Sequence, residues 1–369
     1  MKTKIKKEYI TYSFIPILIG FMIKYTKKNH LQYNQTCKKR WARQIFSYLR
    51  NDKEMIEDIE DDKVFFYKKG SNNSRLYGLE DFSTININTS MPLLQEYCND
   101  KKKFCYVISS DYIPNTIFID EYGIKEKEKN FLQYKLNEDY HLENITEIES
   151  KQKNIISNKI INKNKRIIKK PIIGSQGEGI EIIDNLRYYL IQNKLDENFI
   201  YQEEITPKLY KGYKFDIRYF AVIIFTKNKV EIKHIPFAMV RLCSKKFSLQ
   251  KEDVYSNLTN TSINKNPKCT MSISKHDIEW EKYFKDFEII TEDFFNNIFN
   301  IHNRGEICEL ENNKIASTRI LGFDFMVSED NKVYILEANY CPGDNIYYGA
   351  ECKEKVIKYY SEEIIKKLI

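Results

Sequence analysis

No CxxC pair occurs in these 369 residues, and the eight cysteines (Cys37, Cys98, Cys105, Cys243, Cys269, Cys308, Cys341, Cys352) are scattered. The five histidines add no ligand cluster. A zinc site and a disulfide framework are therefore not expected, and free thiols fit a reducing compartment. No Gly-Lys-Ser/Thr follows any glycine-rich turn, which excludes a P-loop, and there is no Ser-His-Asp or Cys-His set for nucleophilic catalysis. Internal repeats are absent. One mostly apolar segment, residues 10–23, follows Lys2, Lys4, Lys6 and Lys7. It falls short of the ~20 apolar residues that a spanning helix requires, and it contains Pro16 and Gly20. Lys24, Lys27 and Lys28 come next instead of a small-residue cleavage site, so the segment is expected to be a buried strand or core helix.

What is present describes a soluble globular protein: 42% hydrophobic, 30% charged and 14% aromatic residues. The length allows two or three domains with a full core. A net charge of +7 favours acidic partners without choosing among them. Pattern along the chain predicts strands at 65–67, 104–108, 166–170, 180–183 and 199–205, and a long hairpin pairing 214–227 with 230–240. A helix over 184–192 is expected to be capped by Asp184. Residues 256–268 read as a polar loop, the stretch from there to Arg304 as mainly helix, and 351–369 as a closing amphipathic helix.

Two stretches near the end carry the sharpest signal. Gly322-Phe323-Asp324-Phe325-Met326-Val327 and Tyr334-Ile335-Leu336-Glu337-Ala338-Asn339 both alternate with period two, and Ser328-Glu329-Asp330-Asn331-Lys332 between them is a turn-forming cluster. A hairpin centred on Asp330-Asn331 sets Asp324 opposite Glu337, with Asn339 on the same side as Glu337. Two carboxylates and a carboxamide oxygen on one patch of sheet suit Mg²⁺, which leaves positions for water and phosphate oxygens.

Upstream, Lys170-Pro171-Ile172-Ile173-Gly174-Ser175-Gln176-Gly177-Glu178-Gly179 concentrates three glycines within six residues, in a chain with only twelve. Such a turn lets backbone N–H groups approach a polyphosphate, and Lys170 at the end of the preceding strand supplies a point charge. Its spacing is not that of a dinucleotide fingerprint, and a strand follows it instead of a helix. In Lys214-Phe215-Asp216-Ile217-Arg218-Tyr219 the three charged residues share one face, and the strand then runs into the apolar segment 220–225. Arg241 ends the paired strand. Two arginines and a lysine near a two-carboxylate metal site suit a γ-phosphate whose charge is neutralised during transfer.

In order along the chain, these blocks resemble the tubulin–tyrosine ligase-like branch of the ATP-grasp superfamily. The resemblance spans residues 112–343 and rests on Tyr112-Ile113-Pro114-Asn115-Thr116, Lys170-Pro171 with Gly177 and Gly179, and Tyr201-Gln202 through Pro207. It continues through Gly212-Tyr213-Lys214-Phe215-Asp216-Ile217-Arg218, Arg241, Leu258-Thr259-Asn260, and the two hairpin strands before Pro342. It implies an α+β chain with an ATP-grasp fold, the nucleotide held between two β-rich lobes, and a smaller N-terminal α/β domain. The expected divisions are 1–100, 101–205 (central lobe) and 206–369 (C-terminal lobe with the metal site).

The same resemblance implies ATP and Mg²⁺ as cofactors. Lys170, Gly177 and Gly179 would contact phosphates, Gln202 and Glu203 would line the adenine hinge, and Lys214 and Asp216 would meet ribose and phosphates. Thr259 and Asn260 would lie near the γ-phosphate; Lys214, Arg218 and Arg241 would act in catalysis, and Asp324, Glu337 and Asn339 would hold the metal. The implied activity is ligation of an amino acid, Glu or Tyr, to acidic tubulin tails through an acyl phosphate, in the cytoplasm and in association with microtubules. Neither nucleic acid nor a membrane is an expected partner. The alternatives are a non-catalytic tubulin-binding relic and a ligase with a non-tubulin peptide acceptor.

Overall fold

A computed structural model describes residues 44, 45 and 48, most of 90–342, and 350–368, together with the backbone of strands between 55 and 86. Within 90–342, the segments 120–154, 158–165, 175–176, 187–188, 190–192, 249–252, 261–262 and 311–315 and residues 194 and 265 fall outside the description, as does the predicted element at 10–23. Strands β1 (Met55–Glu60), β2 (Lys63–Lys68) and β3 (Arg75–Tyr77) form an antiparallel sheet. A five-stranded antiparallel sheet has the order β6-β5-β9-β7-β8, from Ile155–Ser157, Thr116–Ile119, Phe199–Glu203, Ile167–Pro171 and Glu181–Ile183.

The third sheet is built around β11 (Tyr213–Thr226), flanked by β12 (Val230–Leu242) and β14 (Ala316–Val327). Its edges are β13 (Thr270–Ser274) and β15 (Val333–Asn339), with β4 (Ile85–Asn86) and β10 (Leu209–Tyr210) attached. Among the described strands, only the β4–β14 pairing is parallel.

The pattern in β11 determines how this sheet is covered. Phe215, Ile217, Tyr219, Ile223 and Phe225 pack in one core with Phe284, Phe287, Phe294 and Ile298 of the helix Glu281–Ile301. Phe287 stacks on Phe325 with centroids 4.6 Å apart. On the opposite face, Phe220, Val222 and Ile224 pack with Cys352, Val356 and Tyr360 at the C-terminal end. A strand covered on both sides reads as a continuous apolar run, as 219–225 does. Lys214, Asp216 and Arg218 alternate onto that second face, and Lys214 and Asp216 open into a cleft.

Several sequence expectations change. Residues 104–108 are not a strand: Lys101–Val107 is a helix, and the Asp100 carboxylate caps it by accepting from the Lys102 and Lys103 amides at 2.8 and 3.0 Å. An Asp followed by lysines is a cap signal that here overrides the β propensity of the apolar run. Thr270–Ser274, within the stretch expected to be mainly helix, is an edge strand with Ile273 buried and Thr270, Met271, Ser272 and Ser274 half-buried. Near 184–192 the first turn closes from the Tyr189 amide to the Asn185 carbonyl, so the cap falls on Asn185 instead of Asp184. The closing helix passes from α (Ala350–Tyr359) to π (Tyr360–Ile365).

Seven described cysteines are free, all but Cys341 buried. Burial pushes the Cys98 and Cys105 thiols up, as expected for packing groups instead of reactive ones. Among the described residues no helix is long and apolar enough to cross a membrane.

Candidate active site

Strands β14 and β15 pair Asp324 with Glu337 and Gly322 with Asn339, the predicted partners. The route to that pairing differs from expectation. Val327 pairs with Val333, so the turn is centred on Asp330, and an unbroken ladder would set Leu336 opposite Asp324. A β-bulge between Asp324 and Phe325 supplies the missing shift and brings Glu337 round in its place. A one-residue slip exchanges the faces of a strand, so this bulge decides whether the patch carries one carboxylate or two.

Cross-strand pairing builds an ion ladder across the three central strands. Arg218 lies opposite Asp324, and Asp216 opposite Arg241. Arg218 donates to both Asp324 oxygens, with Nη2 2.8 Å from Oδ2. Arg241 donates to Asp216 at 2.5 and 2.7 Å and reaches Asp324 Oδ2 at 2.9 Å. The Thr259 hydroxyl donates to Asp216 Oδ2. All five side chains are buried. Such pairs satisfy one another, and removal of one member leaves the others charged in a poorly solvated place.

Room for Arg218 comes from Gly322. A Cβ there would stand 2.9 Å from Arg218 Cδ and 2.8 Å from Pro342 Cβ. Gly322→Ala is therefore expected to displace Arg218 from Asp324 and destabilise the fold by about 1–3 kcal/mol, read as a lowered midpoint in urea unfolding.

The ladder forms one wall of a cleft between the two larger sheets. Lys170, Gly177, Gln202, Glu203, Lys214, Asp216, Arg241, Thr259, Asn260, Asp324 and Glu337, all expected site residues, line it. Arg218, Gly179 and Asn339 do not: Arg218 stands behind Asp324, and a Cβ on Gly179 would be 2.7 Å from Pro171 Cγ. Gly177 has φ +82°, and a Cβ on it would stand 3.4 Å from Asn260 Oδ1 and 3.3 Å from Ile263, so the glycine-rich turn closes on the 257–260 loop.

Across the cleft, Lys170 Nζ donates to Gln202 Oε1 at 2.6 Å, and Gln202 Nε2 to Thr116 Oγ1 at 3.1 Å. The Gln202 carboxamide thus orients Lys170. Glu203 accepts from Asn115 Nδ2 at 2.9 Å. Burial pushes the Lys170 ammonium down to about 8, partly offset by Glu337. Burial also pushes the Glu337 carboxyl up, and the Asp324 charge adds to this. For Asp324 burial acts in the same direction, but Arg218 and Arg241 outweigh it and hold that carboxyl well below the usual range.

Two carboxylates in contact, one held ionised by the arginines and one favouring its proton, offer oxygens to a cation that can displace that proton. That donor set fits a hard divalent cation. Asn339 turns its Nδ2 toward Asp324 and Glu337 at 3.4 and 3.5 Å, so ligation through its oxygen needs a rotation of the carboxamide. Among the described residues no group of three His, Cys, Asp or Glu side chains gathers for a metal, here or elsewhere, so this site offers a carboxylate pair.

Some cleft residues had no sequence signal strong enough to find them. Lys101 lines the cleft and donates to the Gly174 carbonyl at 3.0 Å, which places a further ammonium at the glycine-rich turn. It was hidden in a lysine run read as the lead-in to a strand. Glu204 lies 3.5 Å from Lys214 and 3.2 Å from Arg166. Ile168, Ile182, Met326 and Leu336 supply apolar walls from both sheets. As ordinary strand residues they stand out only once the sheets face each other.

A family model described as "Tubulin-tyrosine ligase family" matches residues 115–360. The chain is 26% identical over 194 residues to Tubulin glycylase 3F of Tetrahymena thermophila, covering 47% of this chain and 21% of that protein. It is 28% identical over 191 residues to Tubulin glycylase 3E of the same organism, covering 47% and 14%. With Tubulin polyglutamylase TTLL6 of Homo sapiens it shares 27% identity over 206 residues, covering 49% and 22%. The matched region spans about a fifth or less of the length of these curated relatives.

Proposed function

Because the chain belongs to the tubulin-tyrosine ligase family, we propose that it is an ATP-dependent ligase that joins the amine of an amino acid to a carboxylate on a tubulin tail. The observation that carries this reading is the cross-strand pair Asp324 and Glu337, with Asn339 beside it, facing Lys170 and the glycine-rich turn across one cleft. On this reading the two larger sheets are ATP-grasp lobes, central over 101–205 and C-terminal over 206–369, beside an N-terminal domain over 1–100.

The proposed roles follow from charge and position. Ile168, Ile182, Met326 and Leu336 sandwich the base, with Gln202 and Glu203 at its edge. Lys214 and Asp216 meet the ribose and phosphates, and Lys170, Lys101 and the Gly177 turn hold phosphate oxygens. Arg241, kept in place by Asp216, offsets charge as the phosphoryl group passes to the acceptor carboxylate, and Arg218 fixes Asp324 from behind. Thr259 and Asn260 close over the same end. The amine then displaces phosphate from the acyl phosphate to form the amide. Mg²⁺ held on Asp324, Glu337 and Asn339 would supply neutralising charge for the phosphates.

The names of the relatives add glycine to glutamate and tyrosine as donors to be tested. Incubation with ATP, Mg²⁺, tubulin and each labelled amino acid tests the reading. Label in tubulin tails with one of the three is the expected result, and no label with any of them ends the tubulin assignment.

The Lys170 ammonium gives a pH prediction. Its charged form binds phosphate, and in the free protein that form is lost above pH about 8. Calorimetric ATP affinity is expected to be level below that point and to fall above it, by at most roughly tenfold per pH unit. Lys170→Arg, whose guanidinium stays charged, should flatten the fall.

A further inference from the structure

Asn264 is buried and stands behind the part of the cleft wall formed by Leu258, Thr259 and Asn260. Its Oδ1 accepts from the Ser244 amide at 2.8 Å, and its Nδ2 donates to the Leu258 and Asn260 carbonyls at 2.6 and 3.3 Å. Its own amide donates to the same Asn260 carbonyl at 2.9 Å. Ser244 follows Cys243, whose amide donates to the Lys214 carbonyl at 2.9 Å. One side chain thus ties the 258–260 loop to β11, the strand that carries Lys214 and Asp216. The place calls for two donors and an acceptor on a short stem, which a carboxamide supplies. Aspartate has no donor there, and serine has one.

The direction of these bonds fixes a peptide plane. Leu258 and Thr259 line the cleft, whereas the Leu258 carbonyl points behind them at Asn264. In a planar trans peptide the N–H is antiparallel to the C=O, so the Thr259 amide is turned the other way, toward the cleft. Within the described residues that N–H meets no acceptor. A backbone donor in a residue as buried as Thr259 is seldom left unpaired, and amides aimed into a concavity bind anions. The Thr259 hydroxyl is already given to Asp216. Were the Leu258 carbonyl turned into the cleft instead, it would set partial negative charge against phosphate oxygens.

We propose that Asn264 is a positioning residue for phosphate binding: it holds the Leu258–Thr259 peptide so that the Thr259 backbone N–H donates to the terminal phosphate of the bound nucleotide. The Thr259 side chain is bonded to Asp216, and Asp216 shares Arg241 with Asp324, which places the amide at the metal end of the cleft. Asn260, held by the same carboxamide, closes on Gly177 of the glycine-rich turn. That the ligand is a nucleoside triphosphate rests on the function proposed above; the orientation of the peptide does not.

Calorimetry of the full chain with ATP and with ADP, both with Mg²⁺, tests the inference. Asn264→Asp keeps the acceptor for Ser244 but loses both donors and repels the two carbonyls. It should weaken ATP roughly tenfold, the loss of one hydrogen bond to a charged group, and leave ADP unchanged. Asn264→Ser, neutral and with one donor left, should give a smaller loss of the same kind. A merely structural role would weaken ATP and ADP alike, and that outcome overturns the proposal, as does a ratio of the two affinities equal to wild type in both variants. Hydrogen exchange in the unchanged chain needs no variant: a non-hydrolysable ATP analogue with Mg²⁺ should slow the Thr259 amide, and ADP should not. A Thr259 amide that exchanges equally with either nucleotide overturns the proposal even where a variant fails to fold. ATP bound without effect on that amide ends this inference alone, whereas a wild type that binds no ATP ends the nucleotide reading and this inference with it.

Discussion

Asp324→Asn is expected to abolish Mg²⁺-dependent ATP affinity and to destabilise the fold in the same step. The second effect comes from Arg218 and Arg241, which both donate to Asp324. Asp216 remains as a partner for Arg241, but Arg218 loses its carboxylate. Breaking a buried pair by removing one partner costs about 3–5 kcal/mol, so denaturant unfolding should show a deficit of that size. The deficit has a defined pH course. The folded Asp324 carboxyl titrates below its unfolded value, so its stabilisation is complete above the ordinary Asp range near about 4 and is lost as pH falls through the folded value. Wild type and variant should therefore converge in stability only in strong acid.

Glu337→Gln is expected to separate the two effects. Glu337 carries the raised carboxyl of the pair, and its protonated form can donate to Asp324. A carboxamide can donate to Asp324 in place of that proton, so the fold should keep its stability to within about 1 kcal/mol. The metal loses an anionic ligand, however, and Mg²⁺-dependent ATP affinity should fall by at least roughly a hundredfold. Because the folded Glu337 titrates above its unfolded value, the wild type loses stability as pH rises between those values, and the Gln variant should lack that loss. Equal urea midpoints with unequal Mg²⁺ dependence would mark Glu337 as a ligand alone and Asp324 as both ligand and keystone of the ladder.

Much of this site was legible because β-strands convert spacing into geometry. Period two put Lys214, Asp216 and Arg218 on one face, and the turn residues 328–332 marked the hairpin whose strands carry Asp324 and Glu337. The bulge was not legible, since nothing in Leu336-Glu337 announces an extra residue. The pairing came out as expected because the turn is one position off and the bulge restores it. The two arginines were expected to face phosphate freely. They are held by Asp324 and Asp216 because cross-strand register sets each opposite a carboxylate, a relation between strands that one strand's pattern cannot express.

Lys101 was missed for a local reason. The Asp100 cap turns a run of apolar residues into a helix and thereby carries Lys101 to the cleft.

Anomalous scattering from a crystal grown with Mn²⁺ and a non-hydrolysable ATP analogue tests the central claim most directly. The account predicts a metal peak bridged by Asp324 and Glu337, with the triphosphate reaching toward Lys170. A bound nucleotide whose metal lies away from both carboxylates would contradict it.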